Sequence, residues 1–144
     1  MLVVSLLLLA TLQSPDRTPT SVRVFVFTHL DAAADRAEDE AERRAAVDDM
    51  REALKRKKGI TVVDDPAQAN VEMEVTGRER RDEPSGSFGG KSITRMGDTI
   101  IRVRVKSGTE ETDLKGMGVG TWARAANDAA DRFVKWIARR EPKR

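Results

Sequence analysis

The sequence predicts an α+β fold, in which a mainly antiparallel sheet of about five strands is covered by two helices. Short β-branched runs recur along the chain, and two of them alternate strictly between apolar and polar residues. A long charged segment and a closing aromatic segment both carry apolar residues at helical spacing. The predicted order is β-α-β-β-β-β-α, and we expect both helices to pack on one face of the sheet.

The composition indicates one folded domain. The chain has 144 residues, of which 39% are hydrophobic and 35% are charged, a balance typical of a globular domain with a charged surface. We expect a single domain over 21–144. Cysteine is absent, which excludes disulfides, thiolate metal sites, a cysteine nucleophile and lipid attachment through an N-terminal cysteine.

The charge distribution argues against a nucleic-acid partner. There are 26 Lys and Arg residues against 24 Asp and Glu, so the net charge is only +2. Nucleic-acid binding requires clustered basic residues, and for single strands it requires aromatic platforms. In this chain the charges are interleaved and aromatic residues make up 4%.

The first residues resemble an export signal. Leu2 to Ala10 is apolar except for Ser5, and the chain becomes polar directly afterwards. This run is shorter than the ~20 residues that span a bilayer. We expect residues 1–20 to be a signal peptide or N-terminal anchor with a short linker, and the protein to be periplasmic or secreted, with anchoring in the inner membrane as a variant. A buried strand or helix of the domain is the alternative.

Strand and helix patterns fill the first half of the domain. Val22 to Phe27 is apolar on both faces except at Arg23, which is typical of an interior strand. Thr28 and Asp31 suit the start of a helix that runs to about Lys58 and is closed by Gly59. The spacing predicts that its buried stripe consists of Ala33, Ala37, Ala41, Val47, Met50 and Leu54.

Four further strands are predicted, the last of them after a hairpin turn. Residues 60–63 form a short strand, and 70–80 and 99–106 both alternate. Charge pairing on the outer face favours a register with Glu72 opposite Arg104 and Glu74 opposite Arg102.

Ser107 and Gly108 then suit a two-residue hairpin turn, which would place Glu111 opposite Arg104. The closing helix runs from about Thr121 to Arg140, and its basic end is a candidate contact for acidic lipid headgroups. Its apolar face consists of Trp122, Ala126, Ala129, Phe133 and Ile137.

Three sequence stretches carry a family resemblance: VRVFVF, DDPAQANVEMEVTG and GVGTWARAANDAADRFVKWI. In this layout the chain resembles the small α+β envelope domains of bacterial outer-membrane assembly and secretion lipoproteins, of the curli-secretion or TolB N-terminal type. The resemblance implies an envelope location. The acylated cysteine of those lipoproteins is missing here.

No recognisable catalytic motif is found. The segment Gly86 to Ser92 lacks the glycine spacing of a phosphate-binding loop and joins two predicted strands. His29 is the only histidine, and it lacks a second His or Cys with which to bind a metal. We therefore expect no enzyme activity, no metal and no cofactor; a hydrolase using His29 with Asp31 is the less favoured alternative.

The function expected is an exported, envelope-associated domain that binds a protein partner or assembles with itself. The long loop over 81–98 is the first candidate contact site, with Phe88 and Lys91. Phe25 and Phe27 are the second, because strand 22–27 needs cover on both faces. The alternative is a small-ligand or membrane-surface binding module.

Overall fold

The computed structural model describes residues 21–29, 37–81, 87–88, 91–92 and 97–140, with side chains over 21–29, 40–81 and 97–140. The segments predicted as an export signal and as the start of the first helix lie outside these residues. The elements, in chain order, are β1 (Val22–Phe27), α1 (Ala37–Lys55), β2 (Ile60–Val63), a 3-10 turn (Pro66–Gln68), β3 (Val71–Arg81), β4 (Ser87–Phe88), β5 (Lys91–Ser92), β6 (Asp98–Ser107), β7 (Glu110–Val119) and α2 (Trp122–Arg140).

The α+β fold class is confirmed. Five strands form one sheet in the order β2-β1-β3-β6-β7, and β4 and β5 form a separate pair. Strand β6 runs antiparallel to both of its neighbours, β3 and β7, as predicted. The sheet is nevertheless mixed, because β1 runs parallel to both β2 and β3.

Strand β1 lies inside the sheet, as its doubly apolar sequence predicted. Val24 and Val26 point into the core and are 0% and 3% exposed. Phe25 and Phe27 therefore point to the opposite face. Hydrogen bonds from flanking residues fix the strand: the Arg23 N–H donates to the Asn70 side chain, and the Thr28 hydroxyl donates to the Val75 carbonyl.

Both helices pack on the same face of the sheet and contact each other. The predicted face of α2 is confirmed, since Phe133 and two of its alanines are fully buried and its other members are half-buried. The stripe predicted for α1 is only partly right. Met50 and Leu54 are fully buried, as predicted, whereas Ala41 is exposed. The helix also buries Ala46 and Ala53, which the stripe did not include.

Two glycines on the helix side of β7 allow α2 to lie directly on the strand backbone. A Cβ added to Gly116 would lie 2.1 Å from the Ala125 carbonyl oxygen, and one added to Gly118 would lie 2.5 Å from the Ala125 nitrogen. No side chain fits in this space. The close contact is continued by alanines of α2 that are fully buried, Ala125, Ala126, Ala129 and Ala130.

The predicted registers are wrong by two residues. Glu74, and not Glu72, lies opposite Arg104, and Arg104 lies opposite Asp113, and not Glu111. The turn accordingly lies between Ser107 and Glu110. Because side chains alternate with a period of two, a shift of two keeps every residue on its own face, so the burial pattern could not distinguish the two registers.

A β-bulge at Thr76 reverses the alternation of β3. Before it, Val71, Met73 and Val75 face the helices; after it, Arg78 lies opposite Ile101, on the helix side. The second half of β3 therefore sends an arginine between the two helices.

Within the residues that the structure describes, no helix is both long and apolar enough to span a membrane. In the 3-10 turn over Pro66–Gln68, Asp65 is the N-cap residue, and its carboxylate accepts a hydrogen bond from the Ala67 N–H at 2.9 Å.

Candidate functional site: the helix-free face of the sheet

The helix-free face of the sheet, which is the side opposite α1 and α2 in the described part of the chain, begins with an aromatic row on β1. Phe25 and Phe27 stack with ring centroids 5.4 Å apart, and the rings are inclined by 16°. Both side chains are half-buried. Val63 lies opposite Phe25 on the edge strand β2 and is 8% exposed. An apolar strip thus runs along one margin of a face whose middle is charged.

A ladder of charges follows on β3, β6 and β7. Arg104 is its centre: its guanidinium lies 3.9 Å from Glu74, 3.3 Å from Glu111 and 3.2 Å from Asp113. The Arg104 side chain is 47% exposed, so each pair contributes about 0.2–1 kcal/mol at most. The ladder therefore favours this pairing of the strands but adds little to the free energy of unfolding.

A second cluster lies further along the ladder. Glu79 accepts hydrogen bonds from Arg81 at 2.8 Å and from Arg102 at 3.3 Å. The hydrogen bond from Arg81 and, to a smaller extent, the one from Arg102 hold the pKa of the Glu79 carboxyl below its ordinary value of 4.5. The same contact raises the pKa of Arg81.

Unpaired charges lie next to the aromatic strip. Glu72 neighbours Phe25 across the β1–β3 pair and is exposed. Within the part of the chain that the structure describes, no cation lies at salt-bridge distance from Glu72, and no carboxylate from Lys106, which faces it on β6. A partner that covers Phe25 would therefore meet an exposed carboxylate beside it.

The hollow on this face is shallow. It encloses about 240 Å³ and is lined by Phe27, His29, Glu72, Glu74, Arg104, Lys106 and Glu111. Small-molecule pockets are ~300–1,000 Å³ and mainly apolar. Its size and its charged lining suit a protein surface better than an enclosed small ligand.

The predicted contact residues fall into two groups. Phe25 and Phe27 lie side by side on the helix-free face. Phe88 and Lys91 are paired across the β4–β5 hairpin, but their side chains lie outside the described part of the chain. Phe25 and Phe27 therefore lie on the surface of the sheet, whereas a contact role for Phe88 and Lys91 stays a prediction.

His29 lies at the end of the aromatic strip. Its ring meets Phe27 edge-on, with centroids 5.1 Å apart, and its carbonyl accepts a hydrogen bond from Arg43. Asp31, its partner in the hydrolase alternative, lies outside the described residues. Over the described ranges, no group of three potential metal ligands occurs.

Sequence reasoning missed a buried arginine. The guanidinium of Arg78 lies 3.9 Å from the centroid of the Trp122 ring, and its side chain is 10% exposed. It donates to the Glu42 carbonyl and pairs with Asp49 at 3.5 Å. Burial lowers the pKa of Arg78. Only the Thr76 bulge places this side chain inside, and the available signal for the bulge was Gly77, a glycine in the interior of the predicted strand.

Comparison with known proteins gives little beyond this geometry. No known family matches the sequence, and no curated protein matches it either. Among solved structures, the chain is similar to a provisionally assigned lipoprotein from Caulobacter crescentus CB15. The identity is 12% and the TM-score 0.36, with 87% of this chain and 96% of that chain covered.

Proposed function

We propose that this chain is an exported, envelope-associated, non-enzymatic domain that binds another protein through the helix-free face of its sheet. The observation that carries the proposal is the stacked pair Phe25 and Phe27 on the face that neither α1 nor α2 covers. Aromatic side chains of this kind anchor protein interfaces, because they bury a large apolar area with little loss of side-chain entropy.

The chemistry around the strip defines the partner. Glu72 is exposed beside Phe25 and has no cation at salt-bridge distance among the described residues. A segment that covers the two rings would gain a charge-assisted contact by placing Lys or Arg against this carboxylate. The proposed occupant is a protein segment with an apolar residue next to a basic one.

Site-specific photocrosslinking in bacterial cells tests the proposal. A photoreactive benzoylphenylalanine replaces Phe27 in one variant and Asp48, exposed on α1, in a second. The expected result is one discrete protein adduct from position 27 and none from position 48. Glu72→Lys in the first variant should remove the adduct, since it places a cation where the partner's cation binds.

Mass spectrometry of the adduct then identifies the contact. A crosslink to an apolar residue next to Lys or Arg supports the proposed chemistry, whether it lies in another protein or in a second copy of this chain. The absence of any adduct from position 27, or an adduct that persists with Glu72→Lys, contradicts it.

Export is tested separately, by the intact mass of the tagged chain in periplasmic, membrane and cytoplasmic fractions. The apolar run from Leu2 to Ala10 leads us to expect a periplasmic or membrane species. A full-length chain found only in the cytoplasm would refute the envelope location and leave the binding face untouched.

A further inference from the structure

Strand β7 is an edge strand with one half of its edge covered and the other open. It ends the strand order of the sheet, so among the described residues no strand neighbours one side of its backbone. The Met117 N–H points to that side, where it donates to the Asp128 carboxylate at 2.9 Å. Because N–H groups alternate between the two sides of a strand, those of Asp113 and Lys115 point the same way.

A groove runs along the open half, between β7 and the exposed side of α2. It encloses about 590 Å³, and its lining includes Leu114 of the strand and Trp136 of the helix, both half-buried. These two side chains give the groove an apolar floor next to the free backbone groups of Asp113 and Lys115. An unpaired edge beside an apolar floor is the geometry that accepts an added strand.

The charge of the groove is positive. Its two carboxylates already have partners: Asp113 lies 3.2 Å from Arg104, and Asp128 lies 3.0 Å from Arg132. Three other cations line it, namely Lys115, Lys135 and Arg139. Within the described residues, none of these three has a carboxylate at salt-bridge distance.

We infer that this groove binds an extended acidic protein segment, which adds to β7 as a sixth strand. The main chain of the segment bonds to the N–H and C=O groups of Asp113 and Lys115. Side chains of the added strand that point to the α2 side meet Leu114, Trp136 and the cations Lys135 and Arg139, and those that point to the other side meet Lys115; acidic residues of the segment face these three cations. A second copy does not suit this edge, because isologous pairing would bring two cationic grooves together.

The inference concerns a different surface from the proposed function and does not depend on it. Fluorescence anisotropy with a short labelled peptide of alternating Glu and Val tests it on the purified chain. A peptide of alternating Glu and Pro serves as the matched probe, since it has the same charge but cannot pair as a strand. We expect the Glu–Val peptide to bind at least about tenfold more tightly at low salt.

Charge-reversal variants locate the site. Lys135→Glu with Arg139→Glu should weaken binding of the Glu–Val peptide by roughly tenfold or more. Arg56→Glu with Lys58→Glu, exposed in the turn that follows α1 and outside the groove lining, makes the same change in net charge and should leave it unchanged. Equal losses in both pairs would overturn the inference.

Amide hydrogen exchange gives a readout that does not depend on a variant. Binding should slow the exchange of the Asp113 and Lys115 amides, whose N–H groups the added strand would bond. Binding without this protection, equal binding of the Glu–Pro peptide, or binding only to vesicles of anionic lipid would each overturn the inference. The last result would assign the groove to a membrane surface.

Discussion

The contact between α2 and β7 makes Gly116 a position where a single methyl group should be strongly destabilising. A Cβ at this position would lie 2.1 Å from the Ala125 carbonyl oxygen and 2.6 Å from the Ala129 Cβ. Contacts below 3.0 Å essentially never occur for real Cβ atoms. The backbone of α2 must therefore withdraw by about 1 Å to accept the change.

The cost follows from what the withdrawal disturbs. The alanines that meet β7 are fully buried, and Phe133 on the same helix is also 0% exposed. Overpacking a core costs about 1–3 kcal/mol, and the obstacle here is backbone. We expect Gly116→Ala to lower the free energy of unfolding by about 3 kcal/mol, and the Tm by roughly 10–15 °C for a domain of this size.

Gly77 provides the matched control, because it is also a strand glycine. Its added Cβ would meet nothing closer than the Arg102 side chain at 3.7 Å, and its φ is not in the left-handed region. We expect Gly77→Ala to change stability by less than about 1 kcal/mol. Thermal unfolding followed by circular dichroism measures both variants. If Gly116→Ala melts within about 2 °C of the wild type, or if Gly77→Ala is equally destabilised, the packing argument is wrong.

Three further results are expected. Phe133→Ala should lower the free energy of unfolding by about 3–5 kcal/mol in urea denaturation, since the side chain is 0% exposed; a loss below about 1 kcal/mol would contradict its place in the core. Arg78→Ala should cost about 2–3 kcal/mol through lost packing and the lost contact with Trp122. Arg80→Ala should cost less than about 1 kcal/mol, because Arg80 is exposed and its guanidinium lies further from the same ring, at 5.7 Å. The lowered pKa of Glu79 means that its contribution to stability is present above pH 4.5 and is lost as the pH falls through the pKa in the folded chain; an NMR titration should give a midpoint below 4.5, and Glu79→Gln should reduce the acid sensitivity of folding.

The sequence predicted most of the element order and most of the faces, because periodicity of apolar residues decides both. The alternation of β6 and the apolar face of α2 were read correctly on that basis. The registers of the β3–β6 and β6–β7 pairs could not be predicted from this periodicity. They depend on where the turn after Ser107 closes and on the Thr76 bulge, and a pattern with a period of two carries no information on either.

The candidate site was predicted in part for the same reason. Phe25 and Phe27 were identified because their strand is apolar on both faces. The β7 groove was missed, since it needs the strand order of the sheet to show which strand is at the edge. Gly116 and Gly118, at alternate positions of a strand, were the available signal that a helix lies close to that strand.

The position of β1 between β2 and β3 has a consequence for how the chain folds. Its hydrogen-bonded neighbours come late in the sequence, with 47 residues separating Arg23 from Asn70. The β6–β7 hairpin and α2 contact one another locally, so they can form early, while β1 must wait until β3 is present. A chain that emerges N-terminus first therefore carries an unpaired, doubly apolar strand ahead of its folded part. The arginine at position 23 is the one charge that interrupts this strand and limits its pairing with other chains.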